Sequence, residues 1–298
     1  MTTPSLETPF GRVLTAMVTP MTSRGEVDHQ GAGELAAYLV DHGSDGLVIS
    51  GTTGESATTT DAEKESLLRA VVEAIGDRAH VLAGVGTNDT AHSAELARVA
   101  EKAGAAGLLA VTPYYNKPPQ AGLIAHFTAV AEATDLPVML YDIPGRTALA
   151  LETDTLVRLG EHPRIVAVKD AKGDLAATSW LRARSDLAIY SGDDINTLPL
   201  LAVGAAGVVG VVTHLLGAEM AEMIGRFLAG DVAGAQALHL RLLPAFTGFF
   251  RTQGVILTKA ALNLRGLPAG PVRLPLVDAT GEQVDQLKAD VATAGIEL

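Results

Sequence analysis

One lysine in this chain stands where a nucleophilic amine could work. The run Ile165-Val-Ala-Val-Lys169 is apolar up to its last residue. On a strand, the side-chain period of two sends Lys169 the same way as Ile165 and Ala167. If that side faces the inside of a closed sheet, the amine stands at the mouth of an apolar tube. Burial disfavours the ammonium form and lowers its pKa, the condition an imine-forming lysine needs. The alternative is a lysine that snorkels to the rim or pairs with the adjacent Asp170. Of the seven lysines, Lys64, Lys102, Lys117, Lys172 and Lys288 sit in polar stretches. Only Lys259 shares an apolar setting, and its context, Gly254-Val-Ile-Leu-Thr-Lys-Ala-Ala261, reads as a helix.

Three further groups fall just after apolar runs. Tyr141 ends Val138-Met-Leu-Tyr141; on a strand next to that of Lys169 it could share a substrate with the amine and relay protons. A rim tyrosine packing its ring is the other reading. Arg146 follows in Asp142-Ile-Pro-Gly-Arg146-Thr, where a guanidinium at a cleft mouth suits a substrate carboxylate or is simply a surface cation. Gly51-Thr-Thr-Gly-Glu-Ser56 joins a strand to a helix, and successive N–H groups in such a turn can receive an anion. It lacks the Gly-Lys-Ser/Thr ending of a phosphate-binding P-loop, and Gly84-Val-Gly86 lacks the third glycine of a dinucleotide fingerprint. The eight histidines have no metal-ligand spacing. No metal and no cofactor are expected.

The elements that must carry these groups are legible as a series. Apolar runs recur at Val13–Val18, Leu47–Ser50, Val81–Val85, Leu108–Thr112, Val138–Tyr141, Ile165–Lys169, Leu187–Ser191 and Val208–Thr213. Most are apolar throughout, as strands covered on both faces are, with room for one helix between each pair. Gly31–Val40 follows a candidate N-cap at Asp28, and Thr60-Asp-Ala-Glu63 is a capping box opening Ala62–Ile75. Gly43-Ser-Asp-Gly46, Gly104-Ala-Ala-Gly107 and Gly204-Ala-Ala-Gly207 repeat one junction. The first glycine suits a left-handed helix end and the second a close turn into the next strand. Eight such units predict an α/β fold, a parallel (β/α)8 TIM barrel, with an open doubly wound sheet as the alternative. After Ile224 the strand signal stops. Arg226–Gly248 and Phe249–Leu264 read as helical, and a link at Gly266-Leu-Pro-Ala-Gly-Pro271 precedes a last helix near Gly281–Ala294. The expected division is a barrel over residues 1–230, carrying the site, and a small C-terminal helical domain over 231–298.

Composition narrows the partners. A net charge of −12 argues against nucleic acid and anionic membranes, and the absence of cysteine removes thiolate, disulfide and iron–sulfur chemistry. Leu198–Ala218 carries no charge, but Pro199, His214 and four glycines make it a buried helix, a turn and a buried strand rather than a membrane span. Met1–Phe10 has neither a basic nor an apolar signal region, so a cytoplasmic location is expected.

Five motifs now stand in order: Gly51-Thr-Thr-Gly-Glu-Ser56, Val111-Thr-Pro-Tyr-Tyr-Asn-Lys117, Tyr141-Asp-Ile-Pro-Gly-Arg-Thr147, Val166-Ala-Val-Lys-Asp170 and Tyr190-Ser-Gly-Asp-Asp194. Over essentially its whole length the chain resembles the 4-hydroxy-tetrahydrodipicolinate (dihydrodipicolinate) synthases, within the pyruvate-dependent class I aldolases. The resemblance implies that Lys169 forms an imine with pyruvate and that the derived enamine attacks L-aspartate 4-semialdehyde, in lysine and diaminopimelate biosynthesis. It implies a proton relay at Tyr141 coupled to Thr52 and to Tyr115, the last reaching a neighbouring subunit's site in a homotetramer. It assigns the backbone at Thr53 to the pyruvate carboxylate, Arg146 to the semialdehyde carboxylate, and Gly192 and Val209 to the pocket lining. The rivals are a sister aldolase cleaving N-acetylneuraminate or 2-keto-3-deoxy sugar acids, and a silent barrel. Ser56, Ala57, Asn88 and Tyr114 fit the family's lysine-inhibition pocket, whereas Asp61, Lys64 and His92 depart from it, so weak or absent feedback is expected. Gly210, often serine in relatives, is a further departure without an assigned effect.

Overall fold

The computed structural model describes residues 8–298; the first seven residues of the Met1–Phe10 stretch lie outside them. Eight parallel strands close into a barrel in chain order: β1 (Val13–Ala16), β2 (Gly46–Ile49), β3 (His80–Gly84), β4 (Gly107–Val111), β5 (Val138–Asp142), β6 (Ile165–Asp170), β7 (Ala188–Ser191) and β8 (Gly207–Gly210). β8 pairs back onto β1 through Val13↔Val208 and Leu14↔Val209, which rules out the open sheet. Around it run α1 (His29–Asp41), α2 (Asp61–Ile75), α3 (Thr90–Lys102), α4 (Gln120–Glu132), the short α5 (Pro144–Thr147), α6 (Thr153–Leu159), α7 (Leu175–Arg184), α8 (Thr197–Ala202) and α9 (Thr213–Leu228). Three further helices follow: α10 (Val232–Gly248), α11 (Gly254–Leu264) and α12 (Gly281–Thr293).

The repeated glycine junctions work as their spacing implies. Gly43, Gly104 and Gly204 hold φ of +104°, +91° and +95°, a left-handed turn that L side chains resist. Gly46, Gly107 and Gly207 open β2, β4 and β8, and a Cβ there would press into His80, Phe10 and Arg12 respectively. Thr60 and Glu63 make the expected capping box on α2, and Asp28 accepts the Gly31 N–H at 2.9 Å to cap α1.

Two apolar layers result. Outward-facing strand residues such as Leu47, Leu108, Val168 and Ile189 pack under the helices. Leu14, Val48, Leu82, Leu109, Met139, Ala167, Ala188 and Val209 fill the barrel interior. Phe10 belongs to this inner set, and the Tyr190 hydroxyl donates to the Gly11 carbonyl at 2.8 Å. These contacts close the N-terminal end of the barrel, leaving the C-terminal mouth for chemistry.

Four expectations need correction. Ile165 does not share a face with Lys169: Val138 pairs with Ile165 but Met139 pairs with Ala167. The bulge leaves Val166 unpaired, so Ile165 joins the outer layer while Ala167 stays inside. The last barrel strand stops at Gly210 rather than Thr213, because the Asp194 carboxylate takes the N–H groups of Val211 and Val212. The helix expected to begin at Arg226 begins at Val232: α9 carries on to Leu228, Gly230 turns at φ +86°, and Asp231 caps α10. Residues 249–253 likewise interrupt the helix expected over Phe249–Leu264. Leu198–Ala218 divides into α8, a turn, β8 and the start of α9. No helix among the described residues is long and apolar enough to cross a membrane.

Candidate active site

Register brings the amine and the phenol together. Tyr141 on β5 pairs with Lys169 on β6, and Lys169 pairs in turn with Tyr190 on β7. The Lys169 Nζ lies 4.3 Å from the centroid of the Tyr141 ring, and the lysine side chain is only 4% exposed. Burial lowers its pKa to about 8, and the positive charge of Arg146 pushes the same way against Asp194 and Asp193. The rim reading therefore fails. Pairing with Asp170 fails too, since that carboxylate accepts from the Lys172 N–H at 2.9 Å and the Thr178 hydroxyl at 2.7 Å. Burial pushes the Tyr141 phenol up to about 12, against the pull of Arg146 and of a hydrogen bond from Thr52. At neutral pH the pair is thus an amine that deprotonates readily beside a phenol that keeps its proton.

The site leaves room at the lysine through Gly192. A Cβ there would stand 3.0 Å from the Lys169 Cγ and 2.9 Å from the Ala171 Cβ. Val209 lies in the same inner cluster as Tyr141 and Ala167. Asp194, fully buried, is held by the Val211 and Val212 amides, and burial raises its pKa to about 6. Gly210 now has a physical role, because any Cβ there would collide with the Asp194 Oδ1. His214 joins two strand ends: its Nε2 accepts the Val18 N–H at 3.0 Å and its Nδ1 bonds the Val211 carbonyl at 2.7 Å. Burial lowers this histidine to about 4, which keeps it neutral for that role.

The threonine turn is tightly constrained. Thr53 is buried, and Ser50 and Glu55 hold φ of +57° and +55°. The Thr19 hydroxyl donates to the Gly54 carbonyl at 2.6 Å. A cleft of about 320 Å³ opens nearby, walled by Thr52, Val111, Tyr114, Ile143 and Arg146 from the barrel loops. Gln253, Pro275 and Leu276 complete it from the C-terminal region. Lys169 and Tyr141 do not line this cleft, although the charge of Arg146 reaches both.

Some functional neighbours escape a reading of the sequence. Lys172 is not a solvated lysine: its Nζ lies 3.0 Å from the buried Asp142 carboxylate and donates to the Leu151 carbonyl at 3.1 Å. Asp142 Oδ1 accepts the Leu151 N–H at 3.1 Å, so this pair clamps the far end of the loop that carries Arg146. Lys259 is fully buried and paired with Glu55 at 2.6 Å. Only the three-residue step from Lys169 to Lys172 offered a signal for the first, and the apolar context of Lys259 for the second. Tyr115, by contrast, is 91% exposed at φ +74° and does not join Lys169 and Tyr141 within its own chain. Of the positions that depart from the inhibition pocket, Asp61 accepts from the His92 Nε2 at 2.9 Å and lies 3.4 Å from the Lys64 Nζ. Lys64 also donates to the Thr59 carbonyl at 2.8 Å.

The chain is similar to known proteins over nearly its whole length. The model of the dihydrodipicolinate synthetase family matches residues 9–294. The chain is 72% identical over 295 residues to a 4-hydroxy-tetrahydrodipicolinate synthase of Acidothermus cellulolyticus, covering 99% of this chain and 96% of that protein. It is 65% identical over 292 residues to a Streptomyces coelicolor protein of the same description, with 98% of each covered. Among solved structures it is similar to the dihydrodipicolinate synthase of Cyanidioschyzon merolae with lysine bound, at a TM-score of 0.95 and 45% identity, with 97% of this chain and 99% of that one covered.

Proposed function

The chain belongs to the dihydrodipicolinate synthetase family, and from that premise we propose how its residues make 4-hydroxy-tetrahydrodipicolinate from pyruvate and L-aspartate 4-semialdehyde on the route to diaminopimelate and lysine. One observation carries the proposal: a buried lysine amine with its pKa lowered to about 8, against the face of a tyrosine that stays protonated. The neutral Lys169 amine attacks the pyruvate carbonyl. The resulting carbinolamine loses water as Tyr141 delivers a proton to the departing hydroxyl, leaving an iminium. Loss of a methyl proton gives the enamine, whose carbon attacks the aldehyde. The substrate amine then attacks the iminium carbon and closes the ring, its proton passing to the departing Lys169 amine, so that one water is released overall. Asp193 and Asp194 supply negative charge near the iminium, and the buried surroundings strengthen that interaction.

Around this centre the remaining roles follow the resemblance. The backbone at Thr53 receives the pyruvate carboxylate, Thr52 couples to Tyr141, Gly192 and Val209 shape the pocket, and Arg146 holds the semialdehyde carboxylate at the cleft. Exposed Tyr115 serves a neighbouring subunit in a homotetramer. Residues 1–230 form the catalytic barrel and 231–298 the helical appendix, in a cytoplasmic enzyme. Lysine feedback is weak or absent: Asp61 is engaged by His92 and Lys64, and two potential cations stand where a cationic ligand would have to bind. Strong inhibition by sub-millimolar lysine in a steady-state assay would contradict this.

The test is borohydride reduction in the presence of pyruvate, with the labelled peptide mapped by mass spectrometry. A pyruvate-derived adduct on Lys169 is expected. A label on another lysine, or none at all, refutes the assignment, and the second outcome would also fit a silent barrel.

A further inference from the structure

The turn that carries Thr52 and Thr53 is held from the far end of the chain. Glu55, 4% exposed, sits in a left-handed conformation that a non-glycine residue adopts only where its surroundings enforce it. Its Oε1 lies 2.6 Å from the Nζ of Lys259 on α11, and its Oε2 accepts the Arg273 N–H at 2.8 Å. The Lys259 ammonium, 1% exposed, also donates to the Pro271 carbonyl at 2.7 Å. The Arg273 side chain extends the tie, donating to the carbonyls of Gly25 at 2.8 Å and Thr58 at 2.9 Å and to Glu63 at 3.0 Å. Two and three residues on from Arg273, Pro275 and Leu276 wall the cleft.

Barrel closure does not involve Lys259, which lies on a helix after the last strand. A buried ion pair contributes little net stability compared with an apolar pair of the same shape. What this pair does contribute is geometry. The Glu55 N–H donates to the Thr52 carbonyl at 3.2 Å, so Glu55 belongs to the same hydrogen-bonded turn as Thr52 and Thr53. We propose that Lys259 and Arg273 are positioning residues for pyruvate: acting through Glu55, they hold the Thr52–Thr53 backbone in the shape that receives the keto-acid carboxylate. The helical appendix is thereby a working part of the active site. The inference rests on the reading of that turn as the carboxylate site.

The experiment titrates pyruvate against borohydride trapping at Lys169 in the full-length protein, with thermal midpoints measured alongside. Lys259→Met is expected to raise half-saturating pyruvate about tenfold or more, the scale of removing one charge-assisted hydrogen bond. In the double variant Glu55→Gln/Lys259→Met neither charge is left buried alone, so the thermal midpoint recovers while pyruvate affinity stays weak. Arg273→Ala keeps the buried pair but removes the side-chain bonds to Gly25, Thr58 and Glu63 that hold the Arg273 backbone N–H against Glu55. It is the arm to read if the other variants do not fold, and it too is expected to weaken pyruvate. Unchanged half-saturation in any folded variant overturns the inference, as does recovery of pyruvate affinity in step with the thermal midpoint. Failure of the wild-type protein to label at Lys169 would instead overturn the underlying reading of the site.

Discussion

Replacing Lys169 with methionine should abolish turnover and, at the same time, stabilise the fold. In the folded protein the amine titrates near 8 instead of its ordinary 10.5. That separation corresponds to about 3 kcal/mol, at about 1.4 kcal/mol per pH unit. Because the folded pKa is the lower one, unfolding takes up a proton between about pH 8 and 10.5. The fold therefore bears the whole cost below pH 8, and the cost disappears as pH rises towards 10.5. Methionine fills similar volume without the charge, so Lys169→Met should gain most of this energy at pH 7, a rise of several degrees in thermal midpoint for a chain of this size. The assay compares thermal or denaturant midpoints of the two proteins from pH 7 to 10.5. A gap in favour of methionine at pH 7 that narrows above pH 8 is expected. No gap at pH 7, or a gap independent of pH, would refute the claim that burial depresses this amine.

Arg146→Ala should raise the semialdehyde requirement about tenfold or more while leaving the protein folded. Removing that cation should also move the pH profile of pyruvate trapping upward, since Arg146 helps to lower Lys169; an unchanged semialdehyde dependence counts against its assigned role. Lys172→Met leaves the Asp142 carboxylate buried without its charge partner, and should cost about 3–5 kcal/mol at neutral pH. Burial already raises the pKa of Asp142, and removing Lys172 raises it further, so the cost should shrink as pH falls and the carboxyl protonates. A denaturant midpoint equal to wild type at pH 7 would exclude the clamp. Gly210→Ser places a Cβ against the Asp194 Oδ1 and should cost about 1–3 kcal/mol by loosening the bonds to Val211 and Val212. An unaltered thermal midpoint would show that Asp194 is not held as described.

Much of the chemistry was legible along the chain because its determinants are local. Apolar runs of strand length, two of them ending in Tyr141 and Lys169, located these residues without any tertiary information. Paired glycines marked the junctions at Gly43, Gly104 and Gly204, where the turn itself demands positive φ. The cap of α1 and the capping box of α2 involve residues three apart.

Other features depend on contacts between residues distant in sequence. Closure of β8 onto β1 and the bulge that turns Ile165 outward are decisions of register between strands. The end of β8 is set by a carboxylate seventeen residues earlier, on Asp194. Lys172 looks like any other lysine, and Lys259 is marked only by its apolar stretch, until the fold buries Asp142 and Glu55 against them. Residue type and spacing therefore determined the strands, the turns and the reactive pair, through interactions within a few residues. Which lysines lose their water, which carboxylates they meet and how the threonine turn is held were decided only in three dimensions, where desolvation and charge act between segments the chain brings together.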